Sequence, residues 1–497
     1  MDQTGSHEPG AVAKKTVFLT GATGSMGSAT LLELAGRLDR FNIVILAQRS
    51  LRSRAALRRY AKMPGIRIVW GDLRDYSSVL ECVNGADYVL HAAAIISPAA
   101  DRDPVATEQV NVGSISNILA AIREQPDPDA VRLVTVGSVA MTGSRLPPQH
   151  WGRVGDPIAP ALGDHYAVSK IEAERLVVES GLAHWVSLRQ TFICIPRLLS
   201  LLHPILFHQP VNTAFEFVTA RDSGLMMANA CESWVDEGFW RRVYNIGGGD
   251  DCRVGYIEYL DRVFNSFGLG ATAELFERSW FALRNFHCQW YLDSDVLEGH
   301  LHFQRDGFND YLAQVAAEAP WYLKAGLARI VPSRLVRVLL MKRIARRPEG
   351  PFHWIETGDG ELIEAFFGSR AEWESIPGWD REIPAPGPPQ PLSHGFNDEL
   401  PDVEIGLVHA RSAAGFRGGE CRAKTLETGD LYTPVPWRCA FGHDFTATGY
   451  LVLRAGHWCP DCEAPPWNFD RIAAANPFFA QVWPVKKTPD QHAETPG

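Results

Sequence analysis

Along the first part of the chain, short runs of consecutive apolar residues alternate with stretches in which apolar residues recur every three or four positions, the signatures of buried strands and amphipathic helices. Residues 17–19 form the first such run, and Ala29, Leu31, Leu32 and Leu34 then mark the apolar face of a helix that starts near Ser25. Runs at 43–46, 66–70, 88–90 and 133–136 predict further strands. The join between the first strand and the first helix is the most informative point: residues 16–27 read TVFLTGATGSMG, with Gly21, Gly24 and Gly27 in a G-x-x-G-x-x-G spacing. Such a loop holds a dinucleotide pyrophosphate, because the helix behind it offers unpaired N–H groups and the positive end of its dipole. A side chain at Gly21 or Gly24 would stand between backbone and phosphates. Thr20, Gly21, Thr23, Gly24, Ser25, Met26 and Gly27 are therefore candidate cofactor-binding residues.

The next strand ends extend this site. About 20 residues past the glycines, where a ribose-reading group belongs, the chain reads Ala47, Gln48, Arg49 and Ser50, with Arg52 and Arg54 close behind. An acidic residue there would bind the ribose hydroxyls of NAD and repel a 2′-phosphate; Arg49 favours NADP, with NAD as the alternative. The third strand runs into Gly71, Asp72 and Leu73, where Asp72 can accept a hydrogen bond from the adenine amino group. The fourth ends in His91, Ala92, Ala93 and Ala94, small enough to let cofactor approach. Chemistry enters with Tyr166 and Lys170, four apart on one helical face. A phenol with a pKa of about 10 is a poor base at neutral pH, and a nearby ammonium is expected to favour the phenolate. Tyr166 then takes a proton from an alcohol or gives one to a carbonyl oxygen. Ser138, at the end of the run 133–136, would hydrogen-bond the same oxygen, and Lys170 would also hold the nicotinamide ribose.

Taken in order, TGATGSMG, GDL, VLHAAA, QVNV around Asn111, VGSVAMTG and Tyr166-Ala-Val-Ser-Lys170 resemble the extended short-chain dehydrogenase/reductase family, of the NAD-dependent epimerase/dehydratase type. Leu188 and Arg189 with Pro196, FVTARDSG around Asp222 and VYNIGGG at 243–249 fit as well, so the resemblance covers roughly residues 16–268. It implies an α/β fold, a Rossmann-type doubly wound parallel sheet with a smaller substrate lobe and the substrate at the carboxyl ends of the strands. It also adds Asn111 to the cofactor-binding candidates and implies a homodimer through the helices flanking Tyr166. The chain departs from the family in places. Dehydratases carry Thr-Asp-Glu where this chain has Ser138, Val139 and Ala140, which argues against water elimination. Epimerases usually have a Tyr and an Asn where it has Thr142 before Gly143 and Gln190, Thr191 and Phe192. Met141, Phe192, Ile193, Leu206 and Phe207 offer an apolar lining instead. The expectation is an NADP-dependent oxidoreductase acting on a carbonyl or secondary alcohol of a small apolar molecule. A sugar-nucleotide epimerase and a non-catalytic NADP-sensing scaffold are the alternatives.

With 497 residues, 46% hydrophobic and 21% charged, the chain is long enough for two or three domains. A net charge of −10 argues against nucleic acid as a general partner. No run of about 18 apolar residues is present, so no bilayer span is expected. Nine cysteines in so long a chain are not a disulfide scaffold and point to a reducing cytoplasm. Residues 1–14 read as a flexible tail, 15–268 as the nucleotide-binding core, and 269–382 as a substrate-side lobe with a helical extension. Within that lobe, residues 280–295, WFALRNFHCQWYLDSD, line or cap the pocket or serve as packing, and 350–381 look folded around Phe352, Trp354, Ile355, Phe366, Phe367 and Trp373. Residues 334–347, RLVRVLLMKRIARR, form a basic helix that is either a solvated face or a contact for an anionic membrane surface or an acidic partner.

Prolines at 383–392 mark a stiff linker, placed at 383–402, because proline lacks a donor and restricts its neighbours. Beyond it, in 403–497, Cys439 and His443 are separated by three residues and Cys459 and Cys462 by two, with 15 residues between the pairs. That spacing makes a closed, structural Cys3His zinc site, with Cys421 and His457 as reserve ligands. GGEC, PWRCAFGHDF and GHWCPDC resemble small zinc-ribbon-like domains. Arg438 and Arg454 stand against Asp444, Asp461 and Glu463, which favours stabilisation or a protein partner over nucleic acid.

Overall fold

The computed structural model describes residues 13–196, 202–321, 331–465 and 468–483; most of the expected tail lies outside them. Seven strands form one sheet: β1 (Lys15–Thr20), β2 (Phe41–Ala47), β3 (Ile66–Trp70), β4 (Tyr88–His91), β5 (Arg132–Ser138), β6 (Trp185–Gln190) and β7 (Arg242–Ile246). Their order is 7-6-5-4-1-2-3 and every pairing is parallel. Strand alternation sends neighbouring residues to opposite faces, and both faces are covered. Phe18 and Val89 pack with Ile115, Ile118 and Val177 from helices α2 (Pro104–Arg123) and α3 (His165–Val178). Val17, Leu19 and Leu90 pack with Leu31, Leu34 and Leu225 from α1 (Ser25–Ala35) and α4 (Ala220–Asn229). The chain winds away in opposite senses from β1 and β4, and a crevice opens at their carboxyl ends.

Helix α1 corrects one sequence expectation. Its buried face is Met26, Gly27, Thr30, Leu31 and Leu34, whereas Leu32 is 56% exposed. Leu32 falls one position off the stripe. The helix lies close on α4 because residue 224 is glycine; a Cβ there would come within 2.4 Å of the Ala29 side chain.

A second core forms the lobe beyond the sheet. Phe207, Phe215, Phe217, Tyr259, Trp280 and Phe281 pack together. Trp280 and Phe281 of the aromatic stretch are thus core residues. Short helices at Pro351–Thr357, Gly360–Phe367 and Arg370–Glu374 enclose Trp354, Ile355, Phe366 and Phe367, closed by Ala282.

The proline-rich stretch lies against the sheet domain without regular structure. The Gly387 carbonyl accepts hydrogen bonds from His150 and Trp151, and Arg153 donates to the Leu392 carbonyl. His394 then enters the interior, its Nε2 3.0 Å from Asp156 and its Nδ1 2.8 Å from Asp398, while Arg145 holds the other oxygen of Asp156. After it come three antiparallel strands, β8 (Glu420–Cys421), β9 (Pro434–Arg438) and β10 (Asp444–Thr448). This C-terminal unit shares a core with the sheet domain. Tyr450 packs edge-on to Trp185 and its hydroxyl accepts the β7 amide of Val243 at 2.8 Å.

Candidate functional site

At the end of β1 the backbone turns at Gly21, with φ +72°, so tightly against β4 that a Cβ would lie 2.7 Å from the Ala92 carbonyl carbon. Gly27 is equally constrained, since a Cβ there would meet the Gly21 carbonyl oxygen at 2.2 Å. Gly24 differs: it is exposed, it is the N-cap of α1, and the nearest atom to its Cβ would be 3.3 Å away. No side chain caps α1, so its first N–H groups face the crevice without a protein side-chain acceptor. These donors, with the dipole behind them, fit a pyrophosphate. Thr23, Gly24 and Ser25 reach this opening, while Met26 is buried under it.

Some predicted cofactor residues do not turn their side chains toward the crevice. Thr20 is fully buried; its hydroxyl bonds His91 Nδ1 at 2.9 Å and accepts the Ala93 amide. Asn111 is also buried and ties the loop after β4 to α3, exchanging two hydrogen bonds with Ile95 and donating to Ser169, which bonds the Tyr166 carbonyl. Thr20 thereby fixes His91 and Ala93, and Asn111 fixes the loop after β4 against α3. Asp72 is engaged by Arg74, which also holds its carboxyl below the ordinary range; one oxygen accepts the Arg74 amide at 2.9 Å. The neighbouring Leu73 carbonyl accepts from Asn117. Arg49 stands exposed beyond the end of β2.

Ser138, Tyr166 and Lys170 converge at the end of β5. The Ser138 hydroxyl lies beside the Tyr166 phenol and accepts the Ala140 amide at 3.1 Å. Lys170 donates to the Val136 carbonyl at 2.7 Å and lies 5.8 Å from the Tyr166 ring centre. The expected lowering of the phenol pKa is not found. Burial pushes Tyr166 up to about 12, against the Ser138 hydrogen bond, and the nearby Asp164 raises it further. Burial likewise brings Lys170 down to about 8. The ammonium is directed at a backbone carbonyl rather than at the phenol oxygen, and it does not offset the effect of burial on the phenol.

Sequence reasoning missed the group that sets the start of α3. Asp164 caps the helix by accepting the Ala167 amide at 2.8 Å, and burial raises its carboxyl to about 7. An Asp immediately before an amphipathic segment is an N-cap signal and was legible. Asn285 was not: in the left-handed region at φ 67°, it clamps both the amide and the carbonyl of Leu162. The apolar lining is also revised. Met141, Leu206 and Phe207 are buried in cores, Ile193 is half-buried, and Phe192, 37% exposed, lies two residues beyond Gln190, the register partner of Ser138.

In the C-terminal unit, Cys439, His443, Cys459 and Cys462 bring one ligand atom each within 4.8 Å of all the others. His443 Nδ1 is 3.5 Å from the sulfurs of Cys459 and Cys462, and the Cys439 and Cys462 sulfurs are 3.9 Å apart. A tetrahedral zinc with bonds of about 2.3 Å to sulfur and about 2.0 Å to nitrogen sets these spacings at about 3.6 and about 3.8 Å. Neither reserve ligand joins them. Cys421 lies in β8, and His457 points the other way, to Glu174 of α3 at 2.9 Å. Glu174 also accepts from Ser187 and pairs with Arg189, whose guanidinium reaches the Ala455 carbonyl at 2.7 Å. Burial pushes the Glu174 carboxyl up, but Arg189 and His457 outweigh it and hold the group well below the usual carboxylate range. Arg175, one residue on, bonds the Trp458 carbonyl and Glu463.

Residues 17–200 match the model of the NAD dependent epimerase/dehydratase family. The UDP-glucose 4-epimerase of Rickettsia conorii is 32% identical over 110 residues, 22% of this chain and 32% of that protein. That of Rickettsia rickettsii is 31% identical over the same length. The chain thus spans about a third of the length of the curated relatives it matches. Among solved structures, the Bordetella bronchiseptica enzyme WbmH in complex with NAD+ is 22% identical with a TM-score of 0.47, covering 63% of this chain and 99% of that one. A UDP-glucose-4-epimerase from Stenotrophomonas maltophila with bound NAD and formylated UDP-arabinopyranose is 16% identical with a TM-score of 0.48, covering 64% and 100%.

Proposed function

Residues 17–200 match the model of the NAD dependent epimerase/dehydratase family, and on that match we propose that the protein is an NAD(P)-dependent enzyme transferring hydride at a carbonyl or secondary-alcohol carbon. The observation that carries this reading is the convergence of Ser138, Tyr166 and Lys170 beside a glycine loop with uncapped helix donors. The bound nicotinamide supplies or accepts the hydride. Tyr166 gives its phenolic proton to the substrate oxygen, Ser138 hydrogen-bonds that oxygen, and Lys170, fixed by the Val136 carbonyl, contributes a positive field that steadies the developing phenolate. Arg49 at the ribose position favours NADP, because a guanidinium pairs with a 2′-phosphate.

A second reading has its own support. The UDP-glucose 4-epimerase relatives and the reduction of the apolar lining to Phe192 and Ile193 favour an epimerase that oxidises and re-reduces one carbon of a nucleotide sugar. The two separate on cofactor turnover. A panel of ketones, aldehydes and sterols should drive steady NADPH consumption if the first reading holds; redox-neutral conversion of a nucleotide sugar would establish the second. Tyr166→Phe should abolish turnover in either case while leaving cofactor affinity nearly unchanged, and surviving activity would remove the mechanism. We also propose a structural zinc ion on Cys439, His443, Cys459 and Cys462, supported by ligand spacings that match a tetrahedral ion. Four protein ligands leave no position for a catalytic water.

A further inference from the structure

The helix predicted at 334–347 runs through Ser333–Val336, a π-helical turn at Arg337–Met341, and Lys342–Ala345. Its inner face is satisfied: Val336, Met341, Ile344 and Ala345 are buried in the core of the substrate lobe, with Phe207 and Trp280. The extra residue of a π turn lets Val336 and Met341, five apart, face inward together. The outer face is also apolar. Leu335 is 49% exposed, Val338 52%, Leu339 57% and Leu340 42%. Four neighbouring aliphatic side chains in water contribute nothing to a helix that is already docked, and such a patch marks a contact surface.

Cations surround the patch. From Arg334 to Arg347 there are six basic residues and no acidic one, in a chain whose net charge is −10. Arg346 pairs with Glu356, but among the described residues Arg334, Arg337, Lys342 and Arg343 have no carboxylate partner. We propose that this face docks on an anionic lipid surface, with Leu335, Val338 and Leu339 entering the headgroup boundary and the four free cations meeting lipid phosphates and carboxylates. An acidic polypeptide would neutralise the cations yet leave the aliphatic side chains in water; a bilayer interface accommodates both. No helix among the described residues is long and apolar enough to cross a membrane, so the contact is peripheral. The same helix walls the substrate lobe, which docking sets against the lipid. The proposal goes beyond hydride transfer and does not depend on it.

The test is flotation of the full chain with phosphatidylcholine vesicles, with and without phosphatidylserine, at low and high salt. The wild type should bind the anionic vesicles and be released by salt. Leu335→Ser with Leu339→Ser, and separately Arg334→Glu with Arg337→Glu, should each weaken vesicle affinity by about tenfold or more. Thermal unfolding, measured in parallel, should be unchanged in both variants, because none of the four side chains is buried in the lobe core; this shows that they are folded. Failure of the wild type to bind, binding indifferent to either variant, or capture by polyglutamate with no binding to anionic vesicles would each overturn the proposal.

Discussion

The crevice at the carboxyl edge of the sheet and the cysteine–histidine cluster lie toward opposite ends of the same helix. Tyr166 and Lys170 occupy the early turns of α3, while Glu174 and Arg175, near its end, grip the segment that leads into Cys459 and Cys462. The two sites are made differently. At the glycine loop of the crevice the free donors are backbone amides, and their placement depends on what is missing at Gly21 and Gly27. In the cluster the groups are side chains on two tight turns, closed by Gly442 N–H to the Cys439 carbonyl and Cys462 N–H to the Cys459 carbonyl. A site built from backbone tolerates little substitution at its glycines, whereas three thiols and an imidazole this close would need an ion to offset their crowding. Joined through α3, the second becomes a support for the first.

The largest effect should come from breaking that support. Cys459→Ser should eliminate bound zinc, read by metal analysis, and destabilise the C-terminal unit by a sizeable part of the ~10 kcal/mol or more that structural zinc contributes. Thermal unfolding should then show an early transition, and turnover should fall with it because Arg175 and Glu174 lose their partners. Unchanged zinc content would remove the metal assignment; full activity with zinc lost would remove the coupling.

Next in size is the buried ion cluster itself. Glu174→Ala leaves Arg189 charged and unpaired in the interior, which costs about 3–5 kcal/mol, measurable by urea unfolding. The pH dependence has a definite sign. A carboxyl held below its unfolded value contributes stability that is present above about pH 4.3 and is lost as pH falls toward the folded value. The wild type should therefore weaken on acidification below that point, and Glu174→Gln should flatten this acid limb. An acid limb unchanged by the substitution would show that the contact between the units does not depend on this carboxylate.

Backbone and side-chain sites can be separated at the glycines. Gly21→Ala places a Cβ against Ala92 at a positive φ and should cost about 1–3 kcal/mol of stability along with cofactor affinity. Gly24→Ala, whose Cβ would meet only the Gly21 carbonyl oxygen, at 3.3 Å, should cost clearly less stability than Gly21→Ala and act mainly on cofactor binding. Equal loss of stability in both would show that the loop is a structural turn rather than an anion site.

The sheet and the crevice were legible because glycine spacing, short apolar runs and Tyr-x-x-x-Lys each report local geometry. Cys439, His443, Cys459 and Cys462 were legible for the same reason. What the residue pattern could not convey is which polar side chains are consumed by the fold. Thr20 and Asn111 sit in motif positions yet bond β4 and α3, and His457, beside two ligands, turns to Glu174 across 283 positions of chain. Met141, Leu206 and Phe207 have the composition of a pocket wall, but burial between layers is a tertiary fact. Asn285 acts through a left-handed backbone that no pattern announces.

The smallest predicted effect sharpens the choice of cofactor. Arg49 is exposed at the end of β2 and bonds no other described side chain, so replacing it should not disturb the fold. Its guanidinium is solvated on one side, which limits its worth to that of a single charge-assisted contact in water. Arg49→Ala should therefore weaken NADPH binding by about tenfold and leave NADH binding unaltered, because only NADPH carries the 2′-phosphate. Salt should weaken NADPH binding to the wild type more than to the variant, since the lost contact is the screened one. Equal affinity of the wild type for NADH and NADPH in fluorescence titration would assign Arg49 to the solvated start of the next helix and the cofactor to NAD.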